Sequence, residues 1–244
     1  MLPRNKPFIS GLVFMFMKQF RTDDGSISYR KTYESEPYHT KSGAITEAFE
    51  KHSRALKVWE KKNPVIFDVC SGLAYSAACA LEDIRAHEND SLVVIYLFEN
   101  DIDILNKCLE LPDVIEYIHS GKPAKMYCYK FFKDAIRDYI ERGINVYETK
   151  NLKIFIIYGD FRLEIFSVKA KADFIFYAPF SPKITPEMWT SEVFRLLFDH
   201  LKDDGKLSTY AYARSVRDGL SLTGFKLENG PILGRRSPSV IAIK

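Results

Sequence analysis

The stretch Pro64 to Leu81, PVIFDVCSGLAYSAACAL, constrains the fold more than any other part of the chain. A short apolar run, Val65 to Val69, ends in a small-residue loop that leads into an alanine-rich segment. So few apolar residues do not by themselves separate a buried strand from a helix, but the glycine-containing loop and the Ala-rich sequence behind it favour strand, turn and helix. A doubly wound sheet begins this way. Such a turn seats a ligand at the helix N-terminus, outside the carboxyl end of the strand, where small residues let backbone approach backbone. Asp68, near the strand end, and Gly72, in the loop, are the first candidate site residues. The phosphate-gripping pattern GxxxxGK(S/T) and the dinucleotide pattern GxGxxG are both absent, which leaves a nucleoside without a phosphate grip.

The flanking sequence repeats the alternation. Ser91 to Phe98, Leu152 to Tyr158 and Ala172 to Tyr177 read as buried strands; Lys206 to Tyr210 and Ser239 to Lys244 read as strands, and Ser191 to Leu201 and Ala213 to Leu222 as helices. Alternating strands and helices predict an α/β architecture, a mainly parallel sheet covered by helices on both faces. Asp23-Asp24-Gly25 is a hairpin turn signal between two N-terminal strands. Ala44 to Lys61 carries helical spacing, and Leu111 to Arg142 reads as helix in pieces, broken at Gly121 and Pro123. The expected organisation is an N-terminal hairpin and helix extension, residues 1–60, packed on a core of residues 61–244 as one structural unit.

Composition excludes several classes. With 46% apolar and 27% charged residues over 244 positions, the chain has ample core, and a net charge of +3 does not by itself argue for nucleic acid. Cys70, Cys79, Cys108 and Cys128 contain no CxxC pair and sit mostly in apolar segments, so buried thiols are expected and neither a disulfide framework nor a metal site. No run approaches a membrane-spanning length, and Phe8 to Phe20 lacks a cleavage pattern. The expected location is cytoplasmic.

Three acids fall at expected strand ends. Glu99 is placed to accept from both hydroxyls of a ribose, as the acid of a dinucleotide site does; as a bare strand-end carboxylate it would simply be solvated. Asp160 suits an adenine amino group, or equally an Asp in a Gly-Asp turn. Lys122, Lys125, Lys130, Lys133 and Arg137 alternate with Tyr127, Tyr129, Phe131 and Phe132. That pattern fits stacked single-stranded bases or an amphipathic helix with a solvated face.

The segment Asp68-x-Cys70-x-Gly72-x-Ala74 resembles the D/E-x-G-x-G-x-G signature of class I S-adenosylmethionine-dependent methyltransferases, with Cys70 and Ala74 where that signature has glycine. A longer resemblance is to the methyltransferase domain of the MnmC family, which modifies the tRNA wobble uridine. Phe180, Ser181, Pro182, Pro186, Trp189, Thr190 and Phe194 match its DAFSPxxNPxxWTxxxF pattern. Gly205, Leu207, Thr209, Tyr210, Val216, Arg217, Leu220, Gly224 and Phe225 match GGxLxTYxxAxxVRxxLxxxGF, and Asp24, Gly25, Ser26, Tyr38, His39, Gly43, Ala44 and Glu47 match its N-terminal segments. The resemblance covers most of the chain but not residues 101–150.

It implies a Rossmann-like class I methyltransferase fold and S-adenosyl-L-methionine as cofactor, with Asp68, Cys70, Gly72, Glu99, Asp160, Phe161 and Ala178 around it. It implies N-methylation of the aminomethyl group of a wobble uridine in the tRNA anticodon loop, with no DNA or membrane partner. The fused flavin-dependent oxidase of bacterial MnmC has no counterpart in this sequence, so a separate enzyme is expected to supply the aminomethyl precursor. Phe180, in a loop similar to (N/D)PP(Y/F), is the expected aromatic partner of the reacting nitrogen, or else a hydrophobic plug. His39 is a candidate proton acceptor or a structural hydrogen-bonder. Arg235 and Arg236, with Lys125 and Lys130, are the candidate RNA contacts. Ala178 stands where the family has an acid, which leaves open a small-molecule or protein amine methyltransferase and a catalytically silent tRNA-binding relative.

Overall fold

A computed structural model describes residues 17–31 and 36–244. The chain starts there with a hairpin, β1 (Met17–Arg21) and β2 (Ile27–Lys31), turned at Thr22–Ser26 as the Asp-Asp-Gly signal requires. The part of the expected first strand before Met17 lies outside the described residues. A helix follows, α1 (Ala44–Glu47), which runs on as π-helix over Ala48–Arg54 and ends in a 3₁₀ turn at Val58–Glu60.

The nucleus of the fold is β3 (Val65–Val69), the turn, and α2 (Tyr75–Ala86). Next come β4 (Val93–Glu99) and α3 (Ile102–Glu110), then β5 (Ile115–His119), β6 (Lys122–Met126) and α4 (Tyr129–Arg142). The remainder is β7 (Val146–Thr149), β8 (Leu152–Tyr158), α5 (Phe161–Glu164), β9 (Ala172–Tyr177), α6 (Ser191–His200), β10 (Leu201–Thr209), α7 (Arg214–Thr223), β11 (Lys226–Asn229) and β12 (Val240–Ile243).

Eight strands form the main sheet in the order β11-β12-β10-β9-β3-β4-β8-β7. β10, β9, β3, β4 and β8 are parallel, and antiparallel strands finish both edges. The chain leaves β3 toward β4 and β8, then returns to its other side at β9, so the strand order reverses at β3. A crevice opens at the carboxyl ends where connections diverge in this way.

Successive strand side chains point to opposite faces, and the two faces carry separate cores. Ile66, Phe174 and Phe176 pack with Ile45, Phe49, α2, α3 and α4 on one face. Phe67, Val69, Ile175 and Tyr177 pack with Phe161, Phe194, Leu197 and Leu220 on the other. The N-terminal hairpin joins the first core through Tyr29, and the Tyr75 hydroxyl donates to Ile27 O at 3.0 Å.

The expectation of broken helix over 111–142 is corrected. Residues 115–126 form a hairpin whose turn, Ser120 (φ 50) and Gly121 (φ 75), is left-handed at both central positions, as a two-residue type I′ turn demands. Pro123 sits in the short β6, outside the main sheet, where a missing amide is tolerated, and α4 runs unbroken to a left-handed cap at Gly143. Ile115 and Tyr117 are buried while Glu116 between them is exposed, so the alternation was legible; α3, β7 and β11 were not foreseen.

Candidate functional site

The turn after β3 is built from left-handed residues. Cys70 (φ 61), Gly72 (φ 52) and Ala74 (φ 57) all have positive φ, at the three positions where the resembling signature has glycine. Non-glycine residues adopt this region at a cost, so the backbone keeps the signature's shape although two of its side chains differ. The turn is fastened by Ser71 N to Phe98 O at 3.0 Å and Ala74 N to Ser71 O at 2.7 Å. A Cβ on Gly72 would stand 3.3 Å from Cδ1 of Tyr38, whose ring covers the turn.

Around this turn lies a cavity of about 280 Å³ at the carboxyl ends of β3, β4, β8 and β9. Cys70, Gly72, Glu99, Asp160, Phe161 and Ala178 line it, as do Phe180, His39 and Arg235. The fold therefore brings together most of the residues singled out from the sequence. Asp68, Arg236, Lys125 and Lys130 are not in its wall.

Asp68 lies behind the turn, 1% exposed, where its carboxylate accepts from Ala77 N at 3.2 Å. Burial pushes its pKa up to about 8, with the nearby Glu99 adding to the rise. It holds the turn onto the first residues of α2.

Glu99 ends β4 and is 6% exposed. Its Oε2 accepts from Gly72 N at 2.7 Å, and its Oε1 from the amides of Asn100 and Asp101, each at 2.9 Å. Burial raises its carboxyl to about 7 against those three donors. Carboxylate oxygens have further lone pairs, so Glu99 retains capacity for hydroxyl donors from the cavity.

Asp160 caps α5 by accepting from Arg162 N at 2.9 Å, and its oxygens meet the Arg162 guanidinium at 2.5 to 3.1 Å. That bond to Arg162 lowers its pKa. The Gly-Asp turn reading of the sequence is thus present in the structure. Phe161 is buried edge-on against Phe98, ring centroids 5.2 Å apart.

The loop after β9 is tied at each residue. Ala178 N donates to Val69 O at 3.2 Å, and the Tyr210 hydroxyl donates to Pro179 O at 2.9 Å. Thr185 Oγ1 and Trp189 Nε1 both donate to Phe180 O at 2.8 Å, while Ser181 N donates to the Glu36 carboxylate at 3.1 and 3.2 Å. The Phe180 ring faces Tyr38 at 5.1 Å. Tyr38 in turn donates to Asp101 Oδ2 at 2.5 Å, the oxygen that also pairs with Lys31.

The far wall is the π-helical segment. It presents Lys51, paired with Glu47 at 2.6 Å, and His52, whose Nδ1 meets Ser208 Oγ at 2.8 Å. π-helical turns concentrate at functional sites. His39 Nδ1 meets Ser28 Oγ at 3.0 Å, and burial lowers the pKa of His39 to about 4 and that of His52 to about 3. His39 is therefore neutral at ordinary pH but a weak base.

Sequence reasoning missed Ser71, Glu36, Tyr38 as a lid on Gly72, Glu47, Lys51 and Tyr210. Tyr38 and Glu47 lie in segments that carry the resemblance, so a signal existed for them. Glu36 and Ser71 had none, since their roles depend on contacts across the fold. Ser71 Oγ is buried, lines the cavity and has no hydrogen-bond partner.

The basic cluster is divided between β6 and α4, and four of its five cations are paired with acids. Lys122 and Lys125 lie on β6 and not on a helix. Lys125 pairs with Glu116 at 2.9 Å and Lys130 with Asp134 at 2.5 Å, while Lys133 is nearly buried against Asp113 and Leu111 O. Arg235 instead sits in the cavity wall over the Tyr210 ring, at 5.8 Å, and Arg236 is exposed beside it. The group of three or more His, Cys, Asp or Glu needed to hold a metal does not occur among the described residues, nor does a helix long and apolar enough to cross a membrane.

The cavity thus has two ends. One, at the tips of β3 and β4, offers an acid and an unpartnered hydroxyl to a nucleoside. The other, at the tip of β9, offers a fixed aromatic loop.

Comparison with known proteins agrees with this geometry. Residues 127–244 match a family described as S-adenosyl-L-methionine-dependent methyltransferase. An uncharacterized protein of Methanocaldococcus jannaschii is 28% identical over 224 residues, which are 91% of this chain and 58% of that protein. The tRNA 5-methylaminomethyl-2-thiouridine biosynthesis bifunctional protein MnmC of Leptospira interrogans is 37% identical over 114 residues, 46% of this chain and 18% of its own length. The crystal structure of MNMC2 from Aquifex aeolicus superposes with a TM-score of 0.72 at 28% identity, covering 97% of this chain and 71% of that one. Spermidine synthase from Thermotoga maritima, 13% identical with a TM-score of 0.51, shares the fold.

Proposed function

We propose, from the premise that this chain is an S-adenosyl-L-methionine-dependent methyltransferase related to the methyltransferase part of MnmC, that it methylates the aminomethyl group of a tRNA wobble uridine. The product would be 5-methylaminomethyluridine or its 2-thio form. The observation that carries this reading is the continuity of the cavity from the Gly72–Glu99 cluster to the Phe180 loop.

The first end fits the cofactor. Ser71 Oγ is a buried polar atom without a partner, and Gly72 leaves open the space a Cβ would take beside Tyr38. Glu99 would hold ribose hydroxyls, with Cys70, Phe161 and Ala178 forming walls and Asp160 at the base end. When bound, the cofactor supplies a methyl carbon on a positively charged sulfur, which a neutral amine takes as the carbon–sulfur electron pair returns to sulfur.

At the second end, positioning dominates, because such a displacement gains little from acid or base at the reacting atoms. Phe180 presents its ring to the nitrogen as charge develops there, and the four bonded residues of its loop fix that ring. His39, neutral in its half-buried site, orients the segment bearing Tyr38 and remains a candidate acceptor for the amine proton. Arg235 and Arg236 stand at the rim for phosphates of the anticodon loop. A separate enzyme would supply the aminomethyl precursor.

The test is mass spectrometry of wobble nucleosides from cells with and without the gene. Accumulation of the aminomethyl nucleoside in its absence is expected. Unchanged nucleosides, with labelled methyl passing instead to small amines or proteins in RNase-treated extract, would move the assignment to an amine methyltransferase of another substrate class. Binding of tRNA without any transfer would mark a silent relative.

A further inference from the structure

Methyl transfer to an amine builds positive charge on nitrogen, and a carboxylate beside the nitrogen favours that charge. β9 brings no acid to its own tip, where Ala178, Pro179 and Phe180 stand. The carboxylates lining the cavity differ in what they already hold. Glu99 has three amides, Asp101 has Lys31 and Tyr38, Glu47 has Lys51 and Thr40, and Asp160 has Arg162. Glu187 is exposed at the mouth. Glu36 is different. Its carboxylate accepts from Ser181 N, within the loop that carries Phe180, lies within hydrogen-bond reach of the Tyr210 hydroxyl, and makes no ion pair among the described residues.

We infer that Glu36, delivered from the N-terminal segment, is the carboxylate that receives the acceptor amine, so that the acid of the amine site comes from outside the sheet. The inference rests on the amine-methyltransferase reading but not on the substrate being RNA. The groups around Glu36 agree with the role. Tyr210, whose hydroxyl is bonded to Pro179 O, stands beside it, and burial followed by the charge of Glu36 raises the pKa of that phenol, which therefore stays neutral. Arg235 lies over the Tyr210 ring, on the side of Glu47. Phe180 and Tyr38 close the apolar side. An ammonium here meets one carboxylate without a cationic partner among the described residues, and two rings. A neutral hydroxyl would gain much less from the same surroundings, so Glu36 also selects amines over alcohols.

The test uses sinefungin, the cofactor analogue with an amine in place of the sulfonium methyl, against S-adenosylhomocysteine, which lacks that group. Calorimetry on the full chain should show a preference for sinefungin. Glu36→Gln retains an oxygen acceptor for Ser181 N, so the loop stays anchored and only the charge is lost. The preference should fall about tenfold or more in this variant, while S-adenosylhomocysteine affinity stays within about twofold. Ala178→Asp in the Glu36→Gln background should restore part of the preference by returning an acid to the same end of the cavity. An unchanged preference in Glu36→Gln would overturn the inference. So would a parallel fall in both affinities, which would make Glu36 a prop for the loop. Neither outcome touches the tRNA assignment, which the nucleoside analysis decides.

Discussion

At the residue scale, the turn after β3 shows how a backbone shape outlasts its usual side chains. Cys70 and Ala74 hold left-handed φ values of 61 and 57 that glycine adopts without a Cβ penalty. Cys70→Gly relieves about 1 to 2 kcal/mol of backbone strain but gives up the packing of a half-buried thiol and adds about 0.5 to 1 kcal/mol of chain entropy to lose, so denaturant titration should show a net change below about 1 kcal/mol. Ala74→Gly should be close to neutral, because relief of the same strain is offset by loss of a fully buried methyl worth about 0.8 kcal/mol. Gly72→Ala goes the other way: it adds a Cβ at φ 52 and presses on the Tyr38 ring. Its melting temperature and its cofactor affinity should both fall. Glu99→Ala should weaken S-adenosyl-L-methionine by about 1.5 to 3 kcal/mol, the range for hydrogen bonds to a charged group. Calorimetry that finds no loss in this variant would remove Glu99 from the ribose.

At the element scale, the proposed tRNA substrate would need a basic surface whose cations are not already engaged. The β5–β6 hairpin and α4 carry cations whose partners are already within the same elements, Glu116 for Lys125 and Asp134 for Lys130. The loop between β11 and β12 brings Arg235 into the cavity wall, and a Cβ on Gly234 would collide with Ser42, so this loop is packed closely on the segment before α1. If the loop grips phosphates, replacing Arg235 and Arg236 with Ala should lower the salt slope of tRNA binding by about 0.7 to 0.9 for each phosphate released. The pair Lys125→Ala and Lys130→Ala should leave it unchanged. A fall in the slope for the lysine pair would return the RNA surface to α4 and its hairpin.

At the scale of the whole molecule, buried titratable groups set how stability varies with pH. Asp68 and Glu99 have folded pKa values of about 8 and about 7, raised by burial from 3.8 and 4.5. Between those limits the folded chain binds more protons than the unfolded one, so stability falls as pH rises. His39 and His52 have the opposite sign: burial depresses them from 6.5 to about 4 and about 3, so the unfolded chain binds more protons and stability is lost as pH falls below 6.5. The two effects nearly cancel at pH ~5.5, where the ligand-free protein should melt highest. Asp68→Asn should flatten the decline on the alkaline side and steepen the acid limb, because between 3.8 and 6.5 the buried Asp68 offsets part of what the histidines lose. Thermal melts across the pH range, with and without that substitution, check both limbs.

By itself the sequence determined the elements whose signal is local. A five-residue apolar run, a small-residue turn and an Ala-rich helix are readable at β3 and α2 because burial on both sheet faces demands continuous apolar strands. Strand-end acids such as Glu99 follow from the same logic. Tertiary structure decided everything that depends on the partner. Asp68 reads as a site residue in the chain, but the fold turns it behind the loop onto Ala77. Lys125 and Lys130 read as a free basic cluster until folding pairs each with an acid. Glu36 carries no local signal, since its place against Ser181 exists only once an N-terminal segment crosses the tip of β9. Periodicity reports which side of an element is buried; it does not report which charges meet, because their distances are fixed only when distant segments close on one another.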